Sequence, residues 1–120
     1  MVNKYAHAFA HHLGEYEVAV NVGLAQPLWT AQEHGRGAGE GLLVATSLRL
    51  FHVSSDDLLL YSEELTNIES IARRRTMFPQ LVTLTIQCDG GPGSQRQFYV
   101  GPAYATDLIR FFEGHRSHRR

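Results

Sequence analysis

The hydrophobic pattern of the sequence changes its period at Gly101-Pro102, and no other feature restricts the fold as strongly. Before this point, apolar and polar residues alternate over 81–88 and again over 95–100, which is typical of strands with one buried face. A turn sequence over 89–93 begins with Asp-Gly and joins the two runs. After the change, apolar residues recur at helical spacing over 104–112. The sequence therefore predicts a β-hairpin followed by an amphipathic C-terminal helix.

Further strands are predicted at residues 16–22, 42–53, 58–61 and 67–71. In the first of these, Val18, Val20 and Val22 alternate with polar or small residues, so we expect the valines to face the core. The second is the most apolar stretch of the chain and suits either two strands or one long bent strand. Between the last two, a single helical turn at 62–65 is an alternative. Together these segments predict a mainly β fold.

Two segments in the first third of the chain depart from this pattern. Tyr5, Phe9 and Leu13 recur every four residues, which predicts a short helix over 3–13. Residues 23–41 have no periodicity and contain a glycine-rich run, which predicts a long irregular loop. Loops of this length inside a small domain often carry function.

The length of 120 residues fits a single domain. We assign that domain to residues 1–114, because Gly114 suits the C-terminal cap of the helix, and we assign 115–120 to a basic C-terminal tail. No apolar run approaches the roughly 18 to 20 residues of a membrane span, and residues 1–13 lack the apolar stretch of a signal peptide. We therefore expect a cytoplasmic protein.

Charge is unevenly distributed along the chain, although the net charge is only -1. Residues 1–72 hold three basic side chains against nine acidic ones, whereas residues 73–120 hold eight against three. This polarity favours head-to-tail self-association, or attraction of the later half for anionic partners. Alternatively, strand pairing interleaves the two halves and cancels the field.

The segment 41–53, GLLVATSLRLFHV, resembles the motif G-x-L-x-x-T-x-x-R-L of bacterial PH-like domains, relatives of the GRAM and pleckstrin-homology folds. The residues Leu13-Gly14-Glu15 are similar to the family's entry into its first strand, and 58–71 is similar to its middle segment. The final hairpin and helix also match, so the resemblance covers 13–113. It implies a bent antiparallel sheet, or partly open barrel, of about seven strands capped by the C-terminal helix. It does not imply lipid binding, because fold and function separate readily.

The polar residues of this motif also have a structural interpretation. Thr46 and Ser47 lie between two apolar runs, which favours a tight bend. The aliphatic part of Arg49 can cover strand carbons while its guanidinium reaches solvent or an acid. We therefore interpret Arg49 as structural and not as a ligand-binding residue.

The strongest basic candidates are Arg73, Arg74 and Arg75, which we interpret as a solvated loop. On an anionic membrane such a run adds about 1 kcal/mol per residue, which is enough for weak peripheral contact.

The predicted loop 23–41 contributes three further candidates. Leu28 and Trp29 are suited to an interface with a membrane or a partner, with packing onto the core as the alternative. Arg36 lies in the loop where phosphoinositide-binding PH domains collect cations. Acidic neighbours and a first strand without basic residues do not favour an inositol phosphate site here.

Catalysis and cofactor binding find no support in the sequence. The serines lack a nucleophile-elbow context, and the glycine-rich run is not followed by the Lys-Ser/Thr of a phosphate-binding loop. His7 and His11 supply two metal ligands where a structural zinc needs about four. Cys88 alternates with strand residues and is expected to be a buried apolar residue. We expect no enzyme activity, no metal, no small-molecule cofactor and, with a pI of about 6.6, no nucleic-acid partner.

Two functions remain open. The first is a non-enzymatic PH-like binding module that acts through a protein partner or self-association, using sheet edges or the loop 23–41. The second is weak peripheral binding to an anionic membrane through Arg73–Arg75.

Overall fold

The computed structural model describes residues 12–27, 41–54, 59–89 and 95–118. Among them are seven strands and one α-helix: β1 (Ala19–Pro27), β2 (Gly41–Thr46), β3 (Arg49–Ser54), β4 (Leu59–Glu64), β5 (Ile68–Arg75), β6 (Val82–Cys88), β7 (Gln95–Val100) and α1 (Pro102–His118). A 3-10 turn, Leu65–Asn67, joins β4 to β5. The helix predicted over 3–13 lies outside the described residues for most of its length.

The strands form one antiparallel sheet in the order β4-β3-β2-β1-β7-β6-β5. The two halves meet where β1 pairs with β7 over only three residues, Ala25–Pro27 with Phe98–Val100. The C-terminal helix packs across one face of this sheet, which we call the inner face, and buries Ala105, Leu108 and Phe112 there. The prediction of about seven antiparallel strands capped by a C-terminal helix is therefore confirmed.

The apolar stretch 42–53 forms two strands, β2 and β3, and both are buried on both faces. Leu43 and Leu50 belong to the cluster under the helix, while Phe51 packs into a second cluster on the opposite, outer face. The bend predicted at Thr46-Ser47 separates the strands. A strand that is covered on both sides has a continuous apolar sequence without alternation. For this reason the sequence pattern could not distinguish two strands from one long bent strand.

The prediction for β1 is wrong in two respects. Val18 and Val20 are 67% and 53% exposed, so they do not face the core, whereas Val22 packs against the outer cluster. The strand also continues to Pro27, through residues predicted as loop. Its inner face is marked by Gly23, where an added Cβ would lie 2.4 Å from the Tyr104 ring. The helix therefore covers the inner face of β1 at Gly23, and apolar alternation within β1 carries no information about this contact.

The run Arg73–Arg75 is also misassigned by the sequence, because it completes strand β5 and is not a loop. Three consecutive arginines break apolar alternation, yet each of them is held in register opposite a residue of β6. Pairing with a partner strand decides the conformation here. Strand β6 behaves as predicted, with Val82, Leu84, Ile86 and Cys88 buried in alternation.

The helix begins at Pro102, as expected, but it passes through Gly114 and reaches His118, so the predicted cap is wrong. Arg116 explains the extension, because its Nη1 donates a hydrogen bond to the carbonyl of Glu69 on β5, 2.8 Å away, and its guanidinium lies over the Phe112 ring. The helix therefore includes four residues of the predicted tail. Within the described part of the chain, no helix is long and apolar enough to cross a membrane.

Candidate binding surface

The hairpin of β5 and β6 ends in a tip, residues 76–81, that exposes two large apolar side chains. Met77 is 87% exposed and Phe78 is 53% exposed. The hydroxyl of Thr76 accepts a hydrogen bond from the N–H of Phe78 at 3.0 Å, and the N–H of Leu81 donates to the carbonyl of Phe78 at 3.1 Å. These bonds fix the backbone of the tip. Its apolar side chains are thus held in solvent by a structured turn.

The three arginines that precede the tip are divided between the two faces of β5. Arg73 and Arg75 lie opposite the buried residues Leu84 and Val82, which places them on the inner side of the strand. Arg74 lies opposite Thr83 and therefore projects to the outer side. All three are exposed. The sequence run does not form one patch, and its cations surround the base of the tip.

On the inner side, Arg73 is attached to the beginning of the helix. Its Nη1 donates to Thr106 Oγ1 at 2.6 Å and to the carbonyl of Pro102 at 3.3 Å. Arg73 and Arg75 line a cavity of about 340 Å³ that also contacts Phe78. An anionic group in this cavity would lie beside both guanidinium groups and against the apolar tip.

On the outer side, Arg74 lines an open groove of about 480 Å³, and two threonines and two glutamines form much of its wall. The groove is lined by Ala72, Arg73, Arg74, Thr83, Thr85, Gln95 and Gln97. The Nε2 of Gln97 donates to Thr85 Oγ1 at 3.3 Å, so part of this polar surface is already hydrogen-bonded within the sheet. Arg74 is the only cation that projects to this side from β5.

The remaining predicted binding residues cannot be compared with this surface. Leu28, Trp29 and Arg36 lie outside the described residues, as do His7 and His11. Within the described ranges, no group of three or more His, Cys, Asp or Glu side chains could hold a metal ion.

The apolar tip is the candidate binding feature that sequence reasoning missed. Met77 and Phe78 directly follow the basic run, and Pro79 ends the short apolar pair. A pair of large apolar residues beside clustered arginines, in a segment too short to be a strand, was the available signal. Exposure of two such residues at one point distinguishes them from singly scattered surface residues, which need no explanation.

Arg49 was correctly interpreted as structural, and its acidic partner is Glu17. Arg49 Nε lies 2.9 Å from Glu17 Oε2, and Thr46 Oγ1 donates to the same oxygen at 2.6 Å. Gly14 N–H donates to Glu17 Oε1 at 2.9 Å. Burial by itself raises the pKa of Glu17, but the hydrogen bonds from Arg49, Thr46 and Gly14 outweigh it and hold the pKa below its ordinary value. The motif residues Thr46 and Arg49 therefore attach the entry to β1 to the β2–β3 bend.

The inner core contains titratable side chains that serve packing. Burial lowers the pKa of His52 to about 4, with a hydrogen bond to the Ala25 backbone opposing the shift, and its ring lies 5.1 Å from that of Phe98. Burial raises the pKa of Cys88 to about 11, so this thiol has little thiolate near neutral pH. Tyr61 Oη lies 3.6 Å from Cys88 Sγ, and burial also raises the pKa of Tyr61. The prediction that Cys88 is a buried residue is confirmed.

No protein-family model matches the sequence, and no curated protein matches it. Among solved structures, the chain is similar to the Vps36 N-terminal PH domain, with a TM-score of 0.55 over 85% of this chain and 83% of that chain. The chain has a PH-like fold. Sequence identity to that domain is 14%, so the likeness concerns the fold alone. It agrees with the resemblance in the motif at 41–53, whose Thr46 and Arg49 now have structural roles in this PH-like fold.

Proposed function

We propose that this protein is a non-enzymatic binding module that docks weakly on anionic membranes through the tip of its β5–β6 hairpin. The observation that carries the proposal is the exposed pair Met77 and Phe78 next to three exposed arginines. An apolar tip is suited to the acyl region, and guanidinium groups at its base are suited to anionic headgroups.

The division of the arginines between two faces supports a membrane over a protein surface. A lipid layer surrounds an inserted tip on every side, so Arg74 on the outer side and Arg75 on the inner side would both reach headgroups. A protein docked on one face of β5 would contact either Arg74 or Arg75, but not both. Met77 at the tip is also 87% exposed and so is free to enter a lipid layer.

The expected affinity is modest. Each arginine near an anionic surface contributes about 1 kcal/mol. Complete burial of one side chain such as Phe or Met contributes roughly 1.5 to 3 kcal/mol, and Met77 and Phe78 are only partly inserted in a shallow mode. We therefore expect binding that is reversible and that weakens as salt is added.

Vesicle co-sedimentation tests this proposal. Vesicles of phosphatidylcholine with phosphatidylserine should bind the protein, and vesicles of phosphatidylcholine alone should not. The double variants R74A/R75A and M77S/F78S should each weaken binding by about tenfold or more, because each removes about half of the contact.

Two matched variants control for general effects. Arg110→Ala removes an exposed helix cation, and Leu48→Ser removes an exposed apolar residue from the β2–β3 bend, so both should bind as the unmodified chain does. Equal binding to neutral vesicles, or unchanged binding by both double variants, would refute the membrane function. Contact with a protein partner, the other function suggested by the sequence, stays a prediction.

A further inference from the structure

The two outermost strands of the sheet carry opposite charges at corresponding ends. Among the described residues, β4 pairs only with β3 and β5 only with β6, so each leaves one edge without a neighbouring strand. Strand β4 ends in Glu63 and Glu64, and strand β5 ends in Arg73, Arg74 and Arg75. Unpaired edges readily accept another strand.

The topology makes these two edges compatible in direction. Six successive antiparallel pairs separate β4 from β5, so the two strands run the same way along the sheet. When two copies lie side by side with their sheets aligned, β4 of one copy therefore meets β5 of the next in parallel. The acidic end of one edge then lies against the basic end of the other.

The faces also agree. Glu64 is opposite Arg49 in the sheet and lies on the outer side, whereas Glu63 is opposite the buried Leu50 and lies on the inner side. When the outer face of one sheet continues into the outer face of the next, Glu64 of one copy lies beside Arg74 of the other. The same register sets Glu63 beside Arg73 and diagonally to Arg75 on the inner side. A shift by one residue would break the face match, because the inner face of one copy would then continue into the outer face of the next.

We propose that a second copy of this chain is the occupant of the β5 edge, held by parallel pairing of its β4 residues 60–64 with residues 70–74. Arg116 contacts the Glu69 carbonyl, which limits pairing to the part of β5 after this residue. The contact joins two different surfaces, so each added copy presents the same free edges again and the association has no fixed end. This inference does not depend on membrane binding, because strand pairing needs no lipid and no contact from the apolar tip, although Arg74 takes part in both.

Sedimentation velocity of the full chain without lipid tests the pairing. The average mass should rise with protein concentration and pass beyond that of a dimer. Glu64→Arg and Arg74→Glu should each weaken association by roughly threefold to tenfold, because each places like charges side by side in adjacent strands. The double variant E64R/R74E, and an equimolar mixture of the two single variants, should both recover association because opposite charges face each other again.

Charge reversals on the exposed helix surface, Arg110→Glu and Glu113→Arg, serve as controls and should leave the mass distribution unchanged. Circular dichroism establishes that each variant is folded. A monomer at every concentration would overturn the proposal. So would a loss of association in R74E without one in E64R, which would indicate a different occupant of β5, or a double variant that fails to recover.

Discussion

The β2–β3 and β5–β6 hairpins belong to the same antiparallel sheet but differ in how far their side chains are buried. In β2–β3, both strands are buried on both faces, and the cation Arg49 is engaged with Glu17 inside the molecule. In β5–β6, three arginines and an apolar tip face solvent.

The comparison separates residues that maintain the fold from residues that the fold leaves available. Arg49 has its guanidinium held by a carboxylate, a serine hydroxyl and the Phe51 ring. Arg74, in contrast, is exposed and lines an open groove. Chemical type alone therefore says little about function; the number of internal partners says more.

The largest expected difference concerns two phenylalanines, one from each hairpin. Phe51→Ala should lower the free energy of unfolding by roughly 3 to 5 kcal/mol, since Phe51 is fully buried between the sheet and its outer cluster. Phe78→Ala should change it by about 1 kcal/mol or less, because about half of the Phe78 side chain is in solvent. Urea unfolding measures both, and similar values for the two variants would contradict the division between the hairpins.

A second expected difference is in acid stability and depends on His52 of β3. Its pKa falls from 6.5 to about 4 on folding, so the folded state favours the neutral ring. The resulting stabilisation is complete above about pH 6.5 and is lost as the pH falls towards 4, by roughly 3 kcal/mol in total.

His52→Phe keeps an aromatic ring in the core and should remove this part of the pH dependence, as followed by unfolding curves between pH 7 and pH 4. Phe78→Ala should retain the profile of the unmodified chain. If H52F keeps the same loss of stability over this range, another group is responsible for it.

The smallest of the three differences compares the arginines. Arg49→Met leaves the buried Glu17 without its cation and should destabilise the protein by about 2 kcal/mol, less than for a completely buried pair because Thr46 and Gly14 still donate to the carboxylate. Arg74→Met should stay within about 0.5 kcal/mol. Thermal unfolding measures the stability of both variants, and vesicle co-sedimentation measures their membrane binding. A larger loss of stability in R74M than in R49M would contradict the prediction.

Much of the fold was predictable where the pattern is local. The alternation over Val82–Cys88 identified both the strand and its buried face, and the change of period at Pro102 identified the start of the helix. Val18 and Val20 alternate as regularly, yet they face solvent, while Gly23 on the inner face of β1 contacts Tyr104 of the helix. That contact joins residues far apart in sequence.

The candidate surface was predictable in composition but not in arrangement. The basic run was recognised, whereas its conformation depended on pairing with β6 and its split between faces followed from that pairing. Glu17 could not be selected among nine acids of the first 72 residues, since its partner Arg49 is 32 positions away.

The narrow join between β1 and β7 has a kinetic consequence. These strands pair over only three residues, and 75 positions of chain separate Ala25 from Val100. The strands β1 to β4 pair with their neighbours in sequence and need only short-range encounters, as do β5 to β7. Closing a loop of that length has a high entropic cost before many contacts form in return. We therefore expect the two hairpin arrays to assemble quickly and the search for their mutual register to limit the rate of folding.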